Sequence, residues 1–251
     1  TSLFSHSDKD KAQSLAKANR IAHVYTDYTQ LLKEDDADFV YIALVNSAHY
    51  DYVRQALEAD RNVIVEKPFT TSLSQAEELA SLARSRNLYL FEAVSLLHTP
   101  NFKLVKDSLT RIAPIHLVQC NFSQYSSRYE RYLQGDIAPA FNPKLGGGAM
   151  NDLNVYNINT VIGLFGEPLT TTYYANRGHN GIDTSGTMVL SYPTLTATCT
   201  AAKDSSSPSF TIIQGEKGWI RIPTTANEFG SVEIMEGGKL TSYQRNAYES
   251  R

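Results

Sequence analysis

Two short stretches carry side chains whose types and spacing suit acid–base chemistry. In the first, Lys67 follows the apolar run Asn62-Val63-Ile64-Val65 and Glu66, and precedes Pro68. A lysine at the carboxyl end of a buried strand, ahead of a residue that restricts the turn, has little freedom. Its ammonium could be delivered to a substrate oxygen or to a neighbouring acid–base group. It could equally be a surface lysine paired with a carboxylate. In the second stretch, Gly146-Gly147-Gly148 precede Ala149-Met150-Asn151-Asp152-Leu153-Asn154-Val155-Tyr156. Asp152 and Tyr156 stand four apart on a helix expected over 149–165, so they project from one face. Farther along that face, Asn159 and Gly163 are not strongly apolar. The pair therefore suits acid–base work better than a core stripe, although it also reads as an Asp–Tyr contact on a helix surface. A free phenol has a pKa of about 10, so a catalytic role gains from a nearby cation, for which Lys67 is the candidate.

The elements that must position these groups differ between the two halves. In the first half, strand and helix signals alternate. A short apolar strand at 2–5 leads to Ser7, placed as a helix N-cap, and a helix whose Leu15, Ala18 and Ala22 suit one buried face. Thr26-Asp27 is a second cap. The run Phe39-Val40-Tyr41-Ile42-Ala43-Leu44 fits a parallel strand covered on both faces. A helix is expected over 49–59, strands at 62–65 and 88–91, and a helix over 76–86 opened by the capping box Ser72-Leu73-Ser74-Gln75. Ligands of such a sheet bind at the carboxyl ends of its strands. That points to Ser5-His6-Ser7, to Asn46 and His49, to Glu66-Lys67-Pro68 and to Glu92. His49 reads either as a polar contact in a cleft or as a helix-start residue of no special role.

The second half has a helix at 99–110, a strand at 115–122, a polar loop rich in Tyr and Arg over 123–145, and then the glycine run with its helix. Strands follow at 170–175, 186–192, 194–202, 209–214, 218–222 and 231–235 with no helix between them, which implies a mostly antiparallel sheet. We expect a truncated Rossmann-like parallel domain over 1–94, followed by an α/β domain over 95–251 with a large open sheet. All 14 glycines lie at or beyond Gly135, so turns in the first half must use other residues and no glycine-rich phosphate loop can form there. The chain of 251 residues is 42% hydrophobic and 20% charged, which suits globular domains with a sizeable core. A net charge of -3 does not suit a nucleic-acid partner. No apolar run reaches membrane length and no secretory signal is visible. Cys120 and Cys199 form neither a metal spacing nor a disulfide framework, so we expect no metal and a cytoplasmic setting.

Read in order, these stretches resemble the Gfo/Idh/MocA (glucose–fructose oxidoreductase / inositol dehydrogenase) family. Tyr25-Thr26-Asp27-Tyr28 matches a family segment ahead of a helix. Tyr41 to His49 resembles its "ATPNSLH" strand end, and Asn62 to Pro68 its "HVxxEKP" signature. Gly147 to Tyr156 resembles "GGALxDLGVY", followed by Leu164-Phe165-Gly166-Glu167-Pro168. The resemblance implies a dinucleotide-binding domain and a second domain whose open sheet mediates dimerisation. It implies an NAD(P)-dependent oxidoreductase acting on a sugar-, polyol- or diol-like substrate. Lys67 matches the lysine near the nicotinamide and the reacting oxygen, and Asp152 the aspartate of the catalytic helix. Tyr156 stands where many members have His, as in the dihydrodiol-dehydrogenase-like branch, where the tyrosine moves the proton. Asn46, His49, Glu66 and Glu92 match cofactor- and cleft-lining positions, and Ser5 and His6, after the first strand, could donate to the cofactor. These groups are expected to meet in a cleft between the two halves.

Two departures qualify the expectation. The family's first strand and its G-x-G-x-x-G turn are missing from the chain, and the C-terminal end also falls short. We therefore expect an internal portion of a longer protein that binds a dinucleotide poorly by itself, with exposed sheet edges. Smaller departures are Asn154 in place of glycine, and Leu96-Leu97-His98 in place of an aromatic and an arginine. The strand at 2–5 ends in Ser5-His6-Ser7 with no acid before Asp8, which favours NADP over NAD. The alternatives are a non-enzymatic nucleotide- or sugar-binding member and an NAD-dependent glycoside hydrolase. The second is disfavoured by Tyr156.

Overall fold

Parallel strands and helices alternate through the first of two units, Thr1–Ala93, in a computed structural model that describes residues 1–6 and 8–247. The order is β1 (Ser2–Phe4), α1 (Lys9–Asn19), β2 (His23–Tyr25), α2 (Tyr28–Glu34), β3 (Phe39–Ile42), α3 (His49–Glu58), β4 (Asn62–Val65), α4 (Leu73–Ser85) and β5 (Leu90–Glu92). β1 pairs with β2, and β3-β4-β5 form a second parallel sheet. β1 and β3 each end their sheet, and both line a groove of about 760 Å³.

Side chains set the helix starts. Asp8 caps α1 by accepting the Lys11 N–H at 2.9 Å, Asp27 caps α2 and Ser72 caps α4. The expected cap at Ser7 lies outside the described residues. With no glycine available, three helices end on non-glycine residues in the left-handed region: Arg20, Asp60 and Asn87, at φ 56°, 57° and 55°. In each case the next N–H reaches back five residues, Ile21 to Ala16, Arg61 to Ala56 and Leu88 to Ala83, at 2.8–2.9 Å. These bonds satisfy helix-end carbonyls and offset the roughly 1–2 kcal/mol cost of a left-handed residue with a Cβ.

Two expectations fail here. α1 buries Ala12 and Ala16, while Leu15 is 50% exposed and Ala18 and Ala22 face outward. The inward face is set by the contact with β1 and β2, and Ala12 and Ala16 are the residues on it. The β3 strand is not covered on both faces. Val63, Val65 and Ile42 pack under α3 and α4, but Phe39, Tyr41 and Phe91 stand exposed on the other side, with Phe39 and Phe91 stacked.

The second unit, Val94–Arg251, is built on one large sheet. α5 (Pro100–Ile112) leads to β6 (Ile115–Ser123) and α6 (Tyr129–Leu133). After two 3-10 turns, a π-helical turn (Met150–Asn154) runs into α7 (Val155–Phe165). Then come β7 (Thr170–Arg177), β8 (Asp183–Ser191), β9 (Thr196–Ala202), β10 (Phe210–Gly215), β11 (Gly218–Ile222), β12 (Val232–Glu236) and β13 (Lys239–Tyr243). The sheet order is β13-β12-β11-β10-β6-β9-β8-β7, antiparallel except for β6 against β9. α5 and α7 cover one face through Phe102, Val105, Ile112 and Val161, which pack on Val118, Ala197, Ile213 and Ile220. The other face exposes Leu117, Tyr174 and Leu240.

The mixed fold class read from the sequence is thus the one observed. β13 was not anticipated. It closes a hairpin through Gly237 and Gly238, both at positive φ, as a two-residue turn requires. The stretch 123–145, expected as a polar loop, folds around its own aromatic nest. Tyr132 is buried, stacks on Phe141 and His179, and donates to Asn180 Oδ1 at 2.9 Å.

Candidate active site

In the first unit the ladder of β3, β4 and β5 sets the position of Lys67. Glu66 N–H donates to Ile42 O at 2.9 Å and Ala93 N–H to Val65 O at 2.8 Å, so the pairing continues past the ends of the strands. Glu66 turns its carboxylate back, taking the Tyr41 hydroxyl and the Lys67 N–H. The Lys67–Pro68 peptide is cis. The turn is held from beneath by two side chains. His49, fully buried, places its ring nitrogens 2.9 Å from Pro68 O and 3.2 Å from Leu44 O. Glu92 accepts the Phe69 N–H at 2.8 Å. Burial pushes the Glu92 carboxyl up, against the Phe69 N–H, His49 and Lys67, which pull it down.

These contacts correct one reading. His49 was expected to line the cofactor, but its ring is enclosed and engaged with backbone oxygens, so it braces the turn that carries Lys67. Ser5, Asn46, Glu66 and Lys67 are partly exposed and His6 is exposed, each just past the end of its strand. Ser5 also helps to close the turn into α1, where its hydroxyl donates to Asp8 O and accepts the Asp8 N–H. As a seat for a dinucleotide, these strand ends supply hydroxyl, amide, carboxylate and ammonium groups suited to ribose and nicotinamide. They do not supply a pyrophosphate turn, since no glycine precedes Gly135.

In the second unit the glycine run lets the backbone pass close to its neighbours. Gly148 sits at φ 109°, and a Cβ there would overlap Asp183 Oδ1. A Cβ on Gly147 would stand 2.7 Å from Pro139 O. Asp183, almost buried on β8, accepts the Met150 N–H and the Tyr173 hydroxyl, both at 2.7 Å. It thereby satisfies a donor at the start of the helical turn. Burial, with the bond to Asp183, pushes the Tyr173 phenol up.

The expected single α-helix over 149–165 instead begins as a π-turn, and Asp152 lies inside it. The widened turn delivers Asn154, fully buried, to β9, where its amide donates to Cys199 O at 2.8 Å. Asn157 donates to Asn154 Oδ1 and Thr200 O, both at 2.9 Å. Such bulges recur at functional sites because they re-aim side chains. Tyr156, in the first turn of α7, packs its ring against Phe122 at 6.1 Å and keeps part of its surface exposed. Asp152 Oδ2 accepts from Lys203 Nζ at 2.7 Å. Lys203, Asp183, Asn154 and Asn157 were not singled out as site residues by sequence reading. A lysine one residue past the apolar strand Thr196–Ala202 was the available signal for the first. Nothing local marks the others.

Among the described residues no cluster of His, Cys, Asp and Glu could hold a metal ion, and no helix is long and apolar enough to cross a membrane. Comparison with known proteins adds the family. Residues 2–94 match the model of the oxidoreductase family with an NAD-binding Rossmann fold, and residues 110–221 that of the GFO/IDH/MocA C-terminal domain. The uncharacterized oxidoreductase YgjR of Escherichia coli is 34% identical over 87% of this chain, which spans 66% of that relative. The scyllo-inositol 2-dehydrogenase (NADP(+)) IolU of Bacillus subtilis is 34% identical over 89% of this chain and 68% of its own length. A crystal structure of a 3-ketoreductase from Actinomadura kijaniata with NADP and TDP-benzene superposes with a TM-score of 0.85 at 26% identity, over 99% of this chain and 76% of that one. The chain spans about two thirds of the length of the curated relatives it matches. It belongs to the Gfo/Idh/MocA oxidoreductase family, whose NAD-binding Rossmann model residues 2–94 match.

Proposed function

We propose that this chain serves hydride transfer between a nicotinamide dinucleotide and a sugar-, polyol- or diol-like substrate. The observation that carries the reading is the Asp152–Tyr156 turn. It sets a carboxylate and a phenol one turn apart on a backbone pinned by Asp183, Asn154 and Asn157. When bound, the nicotinamide supplies or accepts the hydride. Tyr156 moves the proton to or from the substrate oxygen, and Asp152 accepts and orients a substrate hydroxyl. Lys67, on the turn that His49 braces, supplies a cation suited to negative charge that develops in the reaction. Ser5, His6, Asn46, Glu66 and Lys67 hold ribose and nicotinamide groups. Ser5 and His6 stand after β1 without an acid, and the Asp8 carboxylate caps α1, so a 2′-phosphate meets no repulsion and NADP is preferred.

The outer face of the large sheet, with Leu117, Tyr174 and Leu240 exposed, supports self-association. The free thiols Cys120 and Cys199 support a reducing, cytoplasmic setting. The test is a panel of inositols, aldoses and vicinal diols with NADP and with NAD, followed by nicotinamide absorbance. With dinucleotide at concentrations high enough to offset the weak binding expected without a pyrophosphate turn, we expect oxidation of at least one polyol or diol, faster with NADP. No turnover in either direction by folded protein would overturn the reading.

A further inference from the structure

We propose that Lys203 is a positioning residue for Asp152 and couples the 126–145 segment to the turn that carries it. This rests on Asp152 belonging to the reacting site. Lys203 follows β9, and its peptide is fixed on both sides. Its N–H donates to Thr184 O at 2.8 Å and its carbonyl accepts the Ser126 N–H at 2.9 Å. The side chain is only 3% exposed. From there Nζ donates to Asp152 Oδ2 at 2.7 Å and to Ala140 O at 2.9 Å, and lies 4.6 Å from the centroid of the Phe141 ring. One ammonium thus grips the π-turn and the 3-10 turn Pro139–Phe141 together.

Fold stability alone does not account for this arrangement. A buried ion pair roughly balances desolvation against attraction, and an apolar side chain of similar volume often serves the fold as well. The pair is also asymmetric. The lysine is enclosed, whereas the Asp152 side chain is 37% exposed, so the fixed charge sits behind a carboxylate that opens outward. The neighbouring acids take other donors. Asp183 accepts the Met150 N–H and Tyr173 hydroxyl, and Asp204 the hydroxyls of Thr184, Ser185 and Ser205. Lys203 therefore orients the carboxylate. The 126–145 segment, seated on the same ammonium, transmits its own position to Asp152.

The test compares the chain with Lys203→Met, which keeps most of the length and removes the charge, and with Lys203→Arg. With carboxyl carbons of aspartate labelled for NMR, the Asp152 signal is identified by its loss in Asp152→Asn. We expect the Asp152 carboxyl to become about tenfold weaker as an acid in Lys203→Met, because a neighbouring positive charge is gone. Lys203→Arg should restore most of that acidity. With the polyol found in the substrate panel, kcat should fall about tenfold to a hundredfold in Lys203→Met, with the nucleotide KM unchanged. An Asp152 titration identical in native and Lys203→Met protein would overturn the proposal. If Lys203→Met does not fold, Lys203→Gln carries the same decision, since it also removes the charge, and an Asp152 titration unchanged in it would overturn the proposal. If no polyol turns over, the NMR comparison still decides the role of Lys203, and the proposed function fails separately.

Discussion

The Lys67 turn and the Asp152 turn each hold a candidate site residue next to a regular element, and they do it by opposite means. Around Lys67, side chains reach in to grip the backbone: His49 at Pro68 O, Glu92 at the Phe69 N–H. No glycine is involved, and the partners sit on the flanking elements α3 and β5. Around Asp152, the backbone itself is brought close, through Gly147 and Gly148, to Pro139 and Asp183. The grip there comes from strands reached much later in the chain, through Asp183 and Lys203. A turn braced by side chains tolerates changes of backbone neighbour but not loss of the brace. A turn braced by close approach tolerates no added Cβ.

The largest effects should fall on the reacting groups. Tyr156→Phe should lower kcat by about a hundredfold to ten-thousandfold with substrate binding retained, as steady-state kinetics would show. Retained activity would remove the phenol from the chemistry. Lys67→Ala should lower kcat by about a hundredfold to a thousandfold and leave nucleotide affinity nearly intact. A loss confined to affinity would make it a binding residue only.

Next come the braces. Gly148→Ala should cost about 2–4 kcal/mol in urea unfolding, because it combines a strained φ with an overlap at Asp183. His49→Leu should cost about 1–3 kcal/mol, from the carbonyl that loses the ring N–H as its partner. If Gly148→Ala proves the milder of the two, the contrast between the turns is wrong. The smallest effect concerns Glu92. Its carboxyl is held above the ordinary value by burial, so its contribution to stability is present at acid pH and is lost as pH rises through the raised value. Glu92→Gln, which still accepts the Phe69 N–H, should therefore gain stability over native protein as pH increases from the acid range to neutrality. Unfolding midpoints at several pH values would show it, and a gain at acid pH alone would contradict it.

Much of the first unit was legible because its signals are local. Asp27 and Ser72 cap the helices they precede, and Val63 and Val65 are buried as their run suggested. Lys67 ends its strand where the sequence placed it. The misreadings share a cause. Leu15 and Tyr41 are apolar and well spaced, yet which face is covered depends on neighbours that spacing does not name. His49 read as a cleft contact or as a helix-start residue of no special role, and its ring nitrogens are instead engaged at Pro68 O and Leu44 O. In the second unit, the four-residue spacing of Asp152 and Tyr156 survives, but the π-turn beneath it does not announce itself. It depends on Asn154 and Asn157 meeting carbonyls of β9, far along the chain.

By itself, then, the sequence determined the alternation of strands and helices, the glycine-free first half and the chemical types of the candidate groups. Periodicity, caps and turn residues act over a few positions. Only the tertiary structure decided which faces are open, that His49 is a brace, and that Lys203 stands behind Asp152. Those outcomes rest on contacts between residues distant in the chain, whose hydrogen bonds and burial exist only once the strands are paired.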